Sequence, residues 1–209
     1  VRWDDFFADL EHQLASERAA ENAALATESE RLRISRVTLI TRLRALSDEG
    51  ESAPVVSLEL IGGVAVRGRL IGTGSDCVVV EPDDRRRGAD VLPVASIRGI
   101  GVARGDLVRS AGAASPAPAL VDRVTFGFVA RDLARRRAGV SLHRVDGSIL
   151  HGTIDRAGAD HLDLALHDPG APRRRDAVTG HRIVPFAAIA CVRVDTVPAV
   201  FGTSPRQSA

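Results

Sequence analysis

One stretch of this chain is written twice. Residues 56–80 read VSLELIGGVAVRGRLIGTGSDCVVV, and residues 140–164 read VSLHRVDGSILHGTIDRAGADHLDL. They align without a gap at an offset of 84, so that Gly63, Gly68, Gly74 and Asp76 meet Gly147, Gly152, Gly158 and Asp160. Further on, VLPVASI at 91–97 meets IVPFAAI at 183–189; the offset there is 92, so the second copy carries 8 extra residues between. Upstream, Arg36-Val37-Thr38 and Arg123-Val124-Thr125 match, each inside an expected helix. A repeat of this size confines the chain to one supersecondary plan used twice.

Within each copy the pattern is that of strands. Val56, Leu58 and Leu60 are apolar at period two, as are Val140 and Leu142, which predicts half-buried strands. Gly62-Gly63 and Asp146-Gly147 mark tight hairpin turns, where glycine supplies positive φ. Gly68 and Gly152 fall inside strands; there a glycine permits a sharp bend or the close approach of a neighbour. Five short, bent strands can close into a small barrel and so remove their exposed edges. A barrel of roughly 50 residues has a thin core and gains from packing on its helix, its twin or other subunits.

The remaining segments read differently. Residues 3–48 contain no Gly or Pro and favour one long helix or two joined helices. Trp3, Phe7, Leu10 and Leu14 make one apolar stripe, and Leu25, Leu32, Leu39, Leu43 and Leu46 another, at spacings that fit helix packing or a short coiled coil. The expected organisation is an N-terminal helical region (1–50), a first barrel (54–104), a linker (105–119) and a helix (120–138). A second barrel (139–195) and a disordered tail (196–209) follow. The fold class expected is therefore α+β, mainly β: two tandem five-stranded small barrels, each preceded by a helix, with a long N-terminal helix.

Composition narrows the function classes. The formal net charge is +1, so nothing global advertises nucleic acid or a membrane, and any electrostatic footprint must be local. All the positive residues are arginine, a bias that lowers the weight of any single arginine cluster. No run approaches a membrane span, and Asp4 and Asp5 interrupt the first apolar stretch, unlike a secretory signal. Cys77 and Cys191 show no metal spacing. A cytoplasmic protein with free thiols, no cofactor and no metal is the expectation.

The repeat resembles the Sm and Sm-like proteins, closest to their bacterial RNA-chaperone branch. The resemblance rests on VSLELIGGVAVRGRL with its Gly63-to-Gly68 spacing, on the strand led by Asp76, and on Ile97-Arg98-Gly99, which looks like the Arg-Gly of the family's second motif. It covers each barrel and the helix before it. It implies a barrel fold, edge-to-edge homo-oligomers and RNA as ligand, with Arg98 at the RNA site. The chain departs from the family where an aromatic stacks on a base, having Val78 and Leu162 there, and the second copy reads Ala190-Cys191-Val192 in place of Arg-Gly.

Two triplets, Arg85-Arg86-Arg87 and Arg173-Arg174-Arg175, lie in equivalent loops between the third and fourth strands. Arginine suits phosphate because its planar fork donates two parallel hydrogen bonds. Against this, Asp83, Asp84, Asp90, Asp168 and Asp176 lie close in sequence, so a solvated loop is the competing reading. Five of the six histidines fall in the second copy, at His143, His151, His161, His167 and His181; their spacing fits no ligand motif, alternation puts several on the solvent face, and surface histidines are the expectation. Trp3, Phe6, Phe7, Leu10 and Leu14 form a broad apolar face, suited either to internal packing or to docking a protein partner. No nucleophile motif or catalytic constellation stands out.

Two functions follow as expectations. The first is a non-enzymatic, regulatory nucleic-acid-binding protein, with RNA the expected class, working through Arg85, Arg86, Arg87, Arg98, Arg173, Arg174 and Arg175. The second is a protein-interaction or oligomerisation scaffold that keeps the Sm-like fold without its RNA site.

Overall fold

The helix-forming N-terminus divides in two. In the computed structural model, which describes residues 2–47, 53–84, 87–112, 123–170, 174 and 176–201 (side chains of 2 and 4–11 excepted), α1 spans Arg2–Ser35. Its end tightens, with Arg36 N–H donating to the Arg33 carbonyl at 3.2 Å and Val37 N–H to Ile34 at 3.0 Å. The helix is laced on its surface by Glu30–Arg33 and Glu28–Arg31 pairs. Helix α2 is a separate element, Leu39–Ser47. The chain divides at that break into two units, Val1–Thr38 and Leu39–Ala209. The long N-terminal helix is thus cut short at Ser35, and α2 is a short separate helix grouped with the strands.

In the second unit the strands are β1 (Val55–Leu60), β2 (Ala65–Thr73), β3 (Cys77–Pro82), β4 (Ala89–Pro93) and β5 (Ile97–Gly101). After helices α3 (Arg104–Ser110) and α4 (Phe126–Arg136) come β6 (Gly139–Arg144), β7 (Ile149–Ala157), β8 (His161–Leu166), β9 (Gly180–Pro185) and β10 (Ile189–Val194). Every ladder register of the first half recurs in the second. Val56 pairs Gly68 as Val140 pairs Gly152, and Leu58 pairs Ile100 as Leu142 pairs Val192. Both β2 and β7 carry a bulge at the same place. The mid-strand glycines permit close approach: a Cβ at Gly68 would strike the Glu81 carbonyl oxygen, and one at Gly152 that of Ala165.

The expectation of two closed five-stranded barrels is overturned. Among the described residues ten strands form one antiparallel sheet in the order β5-β1-β2-β3-β4-β10-β6-β7-β8-β9, open at both ends. Closing each half on itself would require β4 to pair β5 of the same half. Instead β4 pairs β10, the repeat mate of β5. Duplication places a twin strand where a lone barrel must use its own, and the edge hydrogen bonds of β4 are satisfied without closure.

Two apolar clusters follow from this. Leu43 and Leu46 of α2 pack with Val56, Leu58, Leu70, Val78 and Leu92, joined by Ala190 and Cys191 from β10. The second half gathers Val129 and Leu133 of α4 with Leu142, Ile154, Leu162 and Leu164, joined by Cys77, Val79, Ala89 and Val91 from the first half. Each core therefore borrows residues from its twin. Burial of alternate faces of β3 in different clusters explains why that strand reads as a continuous apolar run.

Candidate assembly junction

The strand pair β4 and β10 is the inner junction between the halves. Ala89, Asp90 and Val91 lie opposite Val194, Arg193 and Val192. Polar bonds fasten its rim. Ser96 Oγ donates to the Ala190 carbonyl at 2.8 Å, and Ser75 N–H donates to the Val124 carbonyl at 2.8 Å. At the start of α4, Phe126 N–H donates to Asp76 Oδ1 at 2.6 Å, while Thr125, the N-cap, accepts from Phe128 N–H at 3.1 Å. An anion at a helix N-terminus is favoured by the unpaired N–H groups and the dipole there. Asp76 thereby ties its turn to the helix of the other half.

The sheet's ends are the two unpaired counterparts of this junction. Among the described residues β5 pairs only β1, and β9 pairs only β8. By the repeat, β5 is the mate of β10 and β9 the mate of β4. The residues that close the inner junction are buried, and their mates at the ends are not. Val91 is 0% exposed and its mate Ile183 is 74% exposed; Phe126 is 4% exposed and its mate Leu39 is 42% exposed. Beside β5, Leu39, Leu46, Ile97, Ile100, Val102 and Leu107 line a groove of about 240 Å³ between α2, α3 and the strand.

The arginine candidates are only partly brought together. Arg85, Arg86, Arg173 and Arg175 lie outside the described residues. Arg87, Arg98 and Arg174 are exposed, and none has an ion pair among the described residues. Arg98 sits on β5, one of the two sheet ends, whereas Arg87 shares a hollow with Arg69, Glu81, Asp83, Asp84 and Asp195. Acid and base are therefore mixed at that loop. Of the N-terminal apolar face, Trp3 and Leu14 are exposed; the side chains of Phe6, Phe7 and Leu10 lie outside the described residues.

The histidines do not all lie at the surface. His143 and His167 are buried. His167 is held at both nitrogens, Nε2 at 2.9 Å from Thr153 Oγ1 and Nδ1 at 3.0 Å from the Asp168 carbonyl. Because a carbonyl can only accept, Nδ1 carries the proton and Nε2 accepts from the threonine. His151 Nδ1 lies 2.9 Å from Ser141 Oγ. His161 and His181 are the exposed pair, at the β9 end. His161 Nδ1 sits 2.8 Å from Asp160, whose carboxyl it holds below the usual carboxylate range. Among the described residues no three His, Cys, Asp or Glu side chains form a metal-binding group. Burial and the neighbouring Asp76 push the Cys77 thiol up to about 12, which makes it a poor nucleophile. No described helix is long and apolar enough to cross a membrane.

No protein-family model matches the chain, and neither a curated protein nor a solved structure matches it. The Sm-like resemblance accordingly rests on the residues quoted for it.

Proposed function

We propose that this protein is a non-enzymatic scaffold that assembles with copies of itself, β9 of one copy pairing with β5 of the next. The observation that carries the reading is the contrast between Val91, sealed in the inner junction, and its mate Ile183, exposed on an open strand edge. In the inner register the outer pairs become Ile183 with Ile100, Arg182 with Gly101 and His181 with Val102. An exposed edge bearing a large apolar residue is a template for another strand. A heterologous contact of this kind closes into a ring or extends as a filament according to the rotation between copies.

The test is sedimentation velocity of the full chain across a concentration series, beside Ile183→Lys. The expected result is a multimer for the natural chain and a monomer, with unchanged far-UV circular dichroism, for the variant. A natural chain that stays monomeric throughout refutes the reading.

A second reading, nucleic-acid binding, is favoured by the exposure of Arg87, Arg98 and Arg174. Binding single strands through them requires an affinity whose logarithm falls with log salt by about 0.7 per neutralised phosphate. Purification without nuclease, followed by the absorbance ratio, separates the two. Its weakness is the absence of stacking partners on the strands: the described aromatic side chains belong to α1, α4, the turn at Phe186 and the segment at Phe201, and single-strand binders rely on such platforms.

A further inference from the structure

Resting on that assembly, we infer that the outer junction is held by opposite charges, with Arg42 of one copy meeting Asp163 of the next. The inner junction supplies the template. There Val129 of α4 and Val79 of β3 are both 0% exposed and share one apolar cluster. The same repeat that superposes β1–β5 on β6–β10 superposes α2 on α4, with Leu43 and Leu46 taking the buried places of Ala130 and Leu133. In that alignment Val129 becomes Arg42 and Val79 becomes Asp163. One valine has turned into a cation and the other into an anion. A single such change reads as a surface adapting to water. Two changes of opposite sign, at places that share one buried apolar cluster in the inner junction, read as a matched pair.

Each partner is available for the contact. Arg42 is braced, its Nη2 donating to the Leu107 carbonyl at 2.7 Å and to Ser110 Oγ at 3.0 Å, and its Nε to Ser110 Oγ at 3.2 Å. These bonds fix the guanidinium at the groove beside β5, and a fixed fork loses less freedom on pairing than a free one. Asp163 makes no hydrogen bond or ion pair among the described residues. Its cross-strand neighbours are Arg156 and Ile183, and Asp155, His181 and Arg182 line the same hollow. Two copies brought together by like ends would set Arg42 against Arg42 or Asp163 against Asp163. The signs therefore select head-to-tail addition and oppose the two symmetric dimers.

A second difference separates the junctions. The inner one carries Asp90 opposite Arg193, and the outer one has Arg182 opposite Gly101 in the same register. Ser96, which bonds across the inner junction, is Ala188 at the outer one. The outer contact thus lacks the Asp90–Arg193 pair and the Ser96 bond, and the Arg42–Asp163 pair stands in their place. The assembly is reversed by salt, which shortens the screening length from about 30 Å at 0.01 M to about 3 Å at 1 M, while the fold of each copy is not.

The experiment is a charge-reversal cycle read by sedimentation velocity on the full chain at low and high salt. Asp163→Arg and Arg42→Asp should each weaken self-association by at least about tenfold. Mixing the two variants, or combining both changes in one chain, should recover it. Because Arg42→Asp also removes the bonds to α3, Asp163→Asn serves as the variant that leaves every described hydrogen bond in place. Natural-chain multimers that ignore salt and survive Asp163→Arg and Asp163→Asn overturn the charge pair while leaving the scaffold intact. A natural chain that never self-associates overturns the scaffold itself.

Discussion

Arg193 and Asp90 stand directly opposite each other across the inner junction, Arg193 Nε 3.5 Å from Asp90 Oδ1, with Asp90 only 1% exposed. The separation is close enough for attraction and long for a good hydrogen bond. Their value lies in registration. A one-residue slip of β10 would place Val192 or Val194 against a buried carboxylate and would turn each side chain to the wrong face. The pair therefore names which strand β4 takes and in which alignment.

Removing Arg193 should be costly, because it takes away the cation that faces the buried Asp90 carboxylate. Arg193→Ala is expected to lower unfolding stability by about 3 kcal/mol, the lower end for a buried pair since the arginine keeps part of its side chain in water. Replacing both residues by valine should recover most of that loss. Urea unfolding of the two variants checks it; equal losses in both would deny the pair its stated role.

The glycines at the strand bends should tolerate nothing larger. Gly68→Ala and Gly152→Ala each drive a methyl into a carbonyl of the neighbouring strand, an overpacking of about 1–3 kcal/mol. For a chain of this size that lowers Tm by roughly 2–4 °C per kcal/mol. Gly63→Ala, where a Cβ meets nothing within 4 Å but φ is +75°, should cost less, through backbone strain alone. Differential scanning fluorimetry would rank the three.

The link from Asp76 to the start of α4 should show in both stability and helix integrity. Asp76→Ala removes a charge-assisted acceptor for Phe126 N–H and is expected to cost about 1.5–3 kcal/mol. Thr125→Ala, which removes only the side-chain cap at Phe128 N–H, should cost about 1 kcal/mol. Hydrogen exchange would show the difference, as faster exchange at Phe126 in the first variant and at Phe128 in the second.

Cys77 should be inert in the folded chain. With its thiol pushed up to about 12 from 9.0 by burial, a thiol reagent at neutral pH should react with it only on unfolding. The sign for stability follows from linkage. The folded state holds the proton more tightly than the unfolded one, so the contribution is fully present below about pH 9 and is lost as pH rises towards 12. Stability measured from pH 8 to 11 should fall, and Cys77→Ala should flatten that fall. Rapid native labelling of Cys77 would contradict its burial.

Much of the local structure was legible because it is set by neighbours in sequence. The alternation at Val56, Leu58 and Leu60 predicts β1, and all three are buried. The repeated glycines predict where β2 and β7 meet close neighbours, and both do. Two of the histidines, His143 and His167, are buried at positions that the first half fills with Glu59 and Asp83, whereas His161 and His181 are exposed. Alternation places several of the histidines on the solvent face, whereas packing and bonds to Thr153 and Asp168 account for the buried His167.

What the sequence determined by itself is the unit: a helix followed by five short strands, made twice, with its turns and bends in fixed places. Those features follow from φ preferences and from apolar periods of two, which act over a few residues. Only the tertiary structure decided that β4 takes β10 rather than closing on β5, and that Ile183 and Leu39 are consequently left uncovered. An unpaired strand edge offers the same N–H and C=O groups to any strand that reaches it. Periodicity says which face of β4 is buried but is silent about which strand lies alongside. That choice rests on contacts such as Asp90 with Arg193 and Phe126 with Asp76, made between residues some 50 to 100 positions apart, where chain geometry, rather than local pattern, brings the partners together.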